Sequence, residues 1–124
     1  MTADKVWIVD DDRSIRWVLE KALMQEGLEA TAFEDAQTLL NKLGKEKPHA
    51  IVTDIRMPGI DGLTLLAKIR LEHPDVPVIV MTAHSDLDSA VSSYQGGAFE
   101  YLPKPFDVDD AINLVKRAIA HHHE

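Results

Sequence analysis

Cysteine is absent from the 124-residue sequence, which excludes disulfides, thiolate chemistry and cysteine-based zinc sites. Positive charge is scarce: 13 basic side chains stand against 21 acidic ones, a formal net charge of −8. Gripping a nucleic-acid backbone needs clustered Lys and Arg, so no direct nucleic-acid contact by this domain is expected. No apolar run approaches the roughly 20 residues of a membrane span. The opening MTADKVW also lacks the basic segment and apolar core of a secretion signal. A cytoplasmic location without membrane contact is the expectation. The remainder, 45% apolar and 27% charged, is ordinary for a globular chain of one domain spanning 1–124.

The informative stretch is Ala50 to Gly59. Ile51 and Val52 form an apolar run too short for a helix, and it stops at Asp54. Arg56, Pro58, Gly59 and Gly62 then read as loop. A second apolar run, Val6 to Val9, also ends in acid, at Asp10, Asp11 and Asp12. Carboxylates at the ends of buried strands are costly unless something compensates them.

Taken in order, the chain predicts a strand over Lys5–Asp10 and a helix capped by Asp12 or Ser14. Ile15, Val18, Leu19, Ala22 and Leu23 form its inner stripe, with Trp17 off it and Gly27 at its end. Leu28–Phe33 alternates like an outer strand, and Asp35 caps a short helix through Leu43. The third helix is expected over Leu63–Leu71, with Leu63, Leu66 and Ile69 inward. Val76–Met81 is the most apolar strand and ends at Thr82; Ser85–Gln95 follows as a fourth helix. Ala98–Leu102 is a fifth strand, and Asp107 caps a last helix with Val108, Ala111, Ile112, Val115 and Ile119 on one face. Strict alternation implies an α/β, doubly wound (βα)5 domain, with a parallel sheet covered by helices on both faces. Right-handed crossovers and partly polar second and fifth strands give the order 2-1-3-4-5. Ligands in such sheets sit beyond the carboxyl ends of the strands, where Asp10–Asp12, Asp54, Thr82 and Lys104 converge.

Clustered carboxylates repel one another unless protonated, paired or bridged by a cation, and an all-oxygen site with room for water suits Mg2+. With the metal present, Asp54 can serve as a carboxylate nucleophile towards phosphate, with Lys104 and Thr82 stabilising charge on the phosphoryl oxygens. Two bonds that exist only in the phosphorylated state, at roughly 1.5–3 kcal/mol each, approach the 5.5 kcal/mol or so that inverts a two-state equilibrium. The element expected to respond is the fourth helix, rich in poor helix formers and thin in apolar residues, with Leu87 and Val91 changing exposure.

Four motifs, VDDD at Val9–Asp12, DIRMPGIDG at Asp54–Gly62, MTAHSD at Met81–Asp86 and YLPKPF at Tyr101–Phe106, resemble the CheY-like receiver domains of two-component response regulators. The match covers the whole chain, and its wording is similar to the nitrogen-regulation branch. The resemblance implies that Asp54 accepts phosphate from a sensor histidine kinase. It implies Mg2+ held by Asp11, by Asp10 through water, by Asp54 and by the Arg56 carbonyl, with Asp12 either assisting or capping the helix. Tyr101 corresponds to a switch aromatic, Arg56 and His84 to positions that tune the phosphorylated lifetime, and Lys104–Pro105 to a cis peptide. It also implies an output face on the fourth helix, fifth strand and fifth helix, open to a phosphorylation-dependent dimer. In a full-length protein that face would control an ATPase domain acting on sigma-54 RNA polymerase and a DNA-binding domain. A haloacid-dehalogenase-type phosphatase would want a general acid where Arg56 stands. A flavodoxin-like carrier would want Ser, Thr and Gly where three acids stand, and a docking-only receiver would be expected to lack Asp54 or Lys104. His49 and His73 read as structural, and His121–His123 as a solvated tail.

Overall fold

The computed structural model describes residues 3–83, 91 and 95–122. Five parallel strands, β1 (Lys5–Val9), β2 (Glu29–Phe33), β3 (Ala50–Asp54), β4 (Val78–Ala83) and β5 (Glu100–Lys104), form one sheet in the order β2-β1-β3-β4-β5. Helices α1 (Arg13–Gln25), α2 (Ala36–Leu43) and α3 (Gly62–Glu72) and a C-terminal helix (Val108–His122) cover its faces. The predicted strand order is the observed one. Of the expected fourth helix, Val91 and Gln95 are helical, and the rest, including Leu87, lies outside the described residues, as does His84 before it.

Strand alternation divides the core in two. Trp7, Val9, Ile51, Val78 and Val80 pack against Leu39 of α2 and Leu65, Leu66 and Ile69 of α3. Val6, Ile8, Val52, Ile79 and Met81 pack on the other face against Leu19 and Leu23 of α1 and Ala111, Val115, Ala118 and Ile119 of the C-terminal helix. β1, β3 and β4 are buried nearly throughout, whereas β2 and β5 are only partly covered, as edges should be. Trp7 meets Phe33 edge-on at 5.5 Å, and Trp17 stands in solvent as expected.

Several boundaries differ from the expectation. The buried positions of α3 are Leu65, Leu66 and Ile69, with Leu63 only half-buried, because α3 starts at Gly62 under an Asp61 cap and is rotated accordingly. On the C-terminal helix Ala118 joins the buried face, while Val108 and Ile112 are half-buried. β4 starts at Val78 and includes Thr82 and Ala83. β5 runs Glu100–Lys104 rather than Ala98–Leu102: an edge strand tolerates Pro103, which has no N–H to give a neighbour. Gly27, at φ 81°, ends α1 as expected; its N–H and that of Leu28 donate to the Met24 and Leu23 carbonyls, closing the last turn.

Candidate functional site

The carboxyl ends of β1, β3 and β5 each deliver one charged side chain to a common point. Asp10, one residue past β1, is fully buried; its N–H donates to the Phe33 carbonyl at 3.2 Å. Its Oδ1 accepts from the Asp12 N–H at 2.8 Å and its Oδ2 pairs with Lys104 Nζ at 3.1 Å. Asp54 closes β3, with Oδ1 accepting from the Ile55 N–H at 2.9 Å and lying 3.3 Å from the same ammonium. Lys104, the last residue of β5, therefore bridges two acids that are 44 residues apart in sequence. At these separations each attraction is worth roughly 5 kcal/mol at an effective dielectric near 20, before the cost of removing the groups from water.

Desolvation raises the Asp10 pKa above the usual carboxylate value, helped by the Asp54 charge; the Asp12 N–H and Lys104 oppose this without cancelling it. For Lys104, desolvation pulls downward, but the Asp10 charge and hydrogen bond, with Asp54 behind them, outweigh it and leave the pKa raised. The ammonium is thus held charged.

Asp11 is exposed, yet carboxylate oxygens of Asp10, Asp11 and Asp54 lie within 4.8 Å of one another. Three carboxylates facing one ammonium leave an excess of two negative charges when all are ionised. That oxygen-only donor set fits a hard divalent cation. Beside it opens a cleft of about 500 Å3 lined by Asp11, Ile55, Arg56, Met57, Pro58, Asp61 and Leu63, so exposed Arg56 borders the cluster.

Asp12 stands apart from this cluster: its Oδ1 accepts from the Ser14 N–H at 2.8 Å and the Ile15 N–H at 3.4 Å, capping α1. Asp12→Ala is expected to cost about 1 kcal/mol of stability and leave the Mg2+ midpoint unchanged, measured by urea unfolding and cation titration. Thr82 is buried. Alternation sends it with Val80 to the α2–α3 face of the sheet, whereas Asp54 follows Val52 to the other. Tyr101 is half-buried on β5, and Val91 is exposed. The Lys104–Pro105 bond is cis. His49 is structural as expected: its Nδ1 accepts from the Lys5 N–H at 2.9 Å. Of the expected solvated tail, His121 is exposed but belongs to the C-terminal helix, with its ring 5.4 Å from that of Phe99, and His123 lies outside the described residues.

Two residues of the site escaped the sequence reading. Gly62 opens α3 directly beneath the Asp54 carbonyl, and Arg16 donates from Nη1 to the Asp10 carbonyl at 2.7 Å. A glycine at a helix start and an arginine on a helix carry no signal of such contacts.

A sheet of this order with acids at the ends of β1 and β3 and a lysine at the end of β5 defines a signalling receiver, and the response regulator receiver domain model matches residues 6–116. The chain belongs to that family. It is a receiver domain of the NtrC type, a module of two-component signalling. It is 60% identical over 119 residues to the DNA-binding transcriptional regulator NtrC of Escherichia coli (strain K12), covering 96% of this chain and 25% of that protein. It is 40% identical over 115 residues to the C4-dicarboxylate transport transcriptional regulatory protein DctD of Pseudomonas aeruginosa, covering 93% of this chain and 25% of that one. The chain thus spans about a quarter of the length of these relatives. The solution structure of the apo receiver domain of nitrogen regulatory protein C superposes with a TM-score of 0.89 at 59% identity, and its BeF3-activated form with 0.85, each over 100% of both chains. Receiver domains generally bind Mg2+ at such an aspartate cluster.

Proposed function

We propose that residues 1–124 are a phosphorylation-driven switch in which Asp54 accepts a phosphoryl group. The observation that carries this reading is the single ammonium of Lys104 held between Asp10 and Asp54 beside an exposed Asp11. An Asp54 oxygen attacks phosphorus in line, the bond from phosphorus to the donor's imidazole nitrogen breaks, and the electron pair leaves with that nitrogen. The product is an aspartyl phosphate. Asp11, Asp54 and the Arg56 carbonyl would hold Mg2+ directly and Asp10 through water, and the ion would supply charge neutralisation for this transfer. Lys104 exchanges its contact with Asp54 for one with a phosphoryl oxygen, and the Thr82 hydroxyl turns to donate to another. Thr82 starts on the opposite sheet face, so its turning would carry the signal to the proposed switch residues Tyr101, Val91, His84 and Leu87.

The domain acts in the cytoplasm, and the donor is a sensor histidine kinase of the NtrB type. The domain is a regulatory phosphoacceptor rather than an enzyme acting on a separate substrate, although it promotes its own phosphorylation and slow dephosphorylation. Its output would be an ATPase domain acting on sigma-54 RNA polymerase and a DNA-binding domain in a longer protein, through a phosphorylation-dependent dimer. The domain itself contacts neither nucleic acid nor membrane; among the described residues no helix is long and apolar enough to cross one. Acetyl phosphate with Mg2+ is expected to add one phosphoryl mass to the intact chain and none to Asp54→Asn. An adduct that persists in the variant, or none in the parent chain, would overturn the assignment.

A further inference from the structure

We propose that Arg16 is a positioning residue for divalent-cation capture, acting through the peptide that joins Asp10 to Asp11. The proposal rests on the reading of Asp10, Asp11 and Asp54 as the metal cluster and assigns Arg16 a part in it. Arg16 lies in the first turn of α1, and its Nη1 donates to the Asp10 carbonyl at 2.7 Å. That oxygen belongs to the planar unit running from the Asp10 Cα to the Asp11 Cα, so fixing it fixes the direction in which Asp11 departs. Other contacts hold Asp10 elsewhere: its N–H on Phe33, its Oδ1 on Asp12 and its Oδ2 on Lys104. None of these acts on the carbonyl. Asp11 lies between β1 and α1, outside both elements, and is exposed, so its aim depends on this peptide.

The sign of the effect separates this role from simple proximity. A guanidinium beside a cation site repels the cation, so removing a mere electrostatic neighbour would tighten Mg2+ binding. Removing a positioning residue loosens it, because an outer partner that orients a ligand typically matters about 10-fold or more in metal affinity.

The test is a titration of the whole chain with MgCl2, without phosphoryl donor, followed by the amide resonances of Asp11, Ile55 and Arg56. Arg16→Met is expected to raise the Mg2+ dissociation constant about tenfold, and Arg16→Lys, which keeps a charged donor, to recover most of the loss. An unchanged constant with a lowered melting temperature would make Arg16 merely structural and overturn the proposal; a tighter constant would overturn it as well. Should Arg16→Met not fold, Arg16→Gln replaces it, and unchanged or tighter binding there is equally fatal. If the parent chain shows no Mg2+-dependent shifts, the metal cluster itself falls, and this proposal falls with it. Normal binding by the parent together with an unaffected variant removes the role of Arg16 alone.

Discussion

Gly62→Ala is expected to destabilise the domain by at least about 3 kcal/mol, beyond ordinary overpacking, because the added carbon has nowhere to go. It would lie 2.0 Å from the Asp54 carbonyl oxygen and 2.8 Å from both the Asp54 carbonyl carbon and the Ile55 Cα. All three are main-chain atoms, so no side-chain rotation relieves the overlap. The Gly62 N–H also donates to the Ile55 carbonyl at 2.8 Å, which ties the first turn of α3 to the end of β3. Relief therefore requires α3 to move away from the strand that carries Asp54. Urea unfolding measures the loss, and a variant within 1 kcal/mol or so of the parent, well below the usual overpacking cost, would show that the two elements can separate freely. A phosphorylation defect should accompany the loss, since the displaced backbone is that of the proposed acceptor.

Lys104→Met is expected to slow phosphorylation of Asp54 by acetyl phosphate at least about 100-fold, the scale seen when one preorganised donor to a developing anion is removed. Intact-mass time courses at saturating Mg2+ give the rate, and a reduction of less than tenfold or so would remove the lysine from the proposed transfer. The same variant carries a signature in stability. Lys104 holds the Asp10 pKa down against desolvation, so without it the carboxyl rises further above its unfolded value of 3.8. The folded state then binds more protons than the unfolded one, and stability falls as pH rises. The deficit against the parent chain should vanish below the unfolded carboxylate pKa and open as pH rises towards neutrality. The parent chain has its own alkaline signature. Because the Lys104 pKa is raised, the stability this group contributes is full below 10.5 and is lost as pH climbs through the higher folded value.

The sheet was legible because each strand announces itself by a short apolar run and each helix by its spacing and cap. Asp12, Asp35 and Asp107 all accept backbone N–H groups at the helix starts where they were expected. The convergence of Asp10, Asp54 and Lys104 followed from topology, since strand order alone puts those three ends together. Rotation of α3 was less legible: Leu63, Leu65 and Leu66 are all apolar, and only the Asp61 cap decides which two face the sheet. The extent of β5 was obscured by Pro103, which argues against a strand unless the strand is known to lie at an edge. The burial of Asp10 and the contacts of Gly62 and Arg16 depend on atoms brought together across the fold, and residue type does not encode them.

The span between Asp10 and Lys104, 94 positions of sequence, has a consequence for how such a chain comes into being. A polypeptide made from its amino terminus produces the acids of the first and third strands well before the ammonium that reconciles them. During that interval β1, β2 and β3 can pair, but their carboxylates meet as like charges, and water, protons or free cations must keep them apart. The finished basin therefore forms only once β5 has been made. A fragment ending before β5 would hold most of the sheet and lack the ammonium that pairs with Asp10 and Asp54.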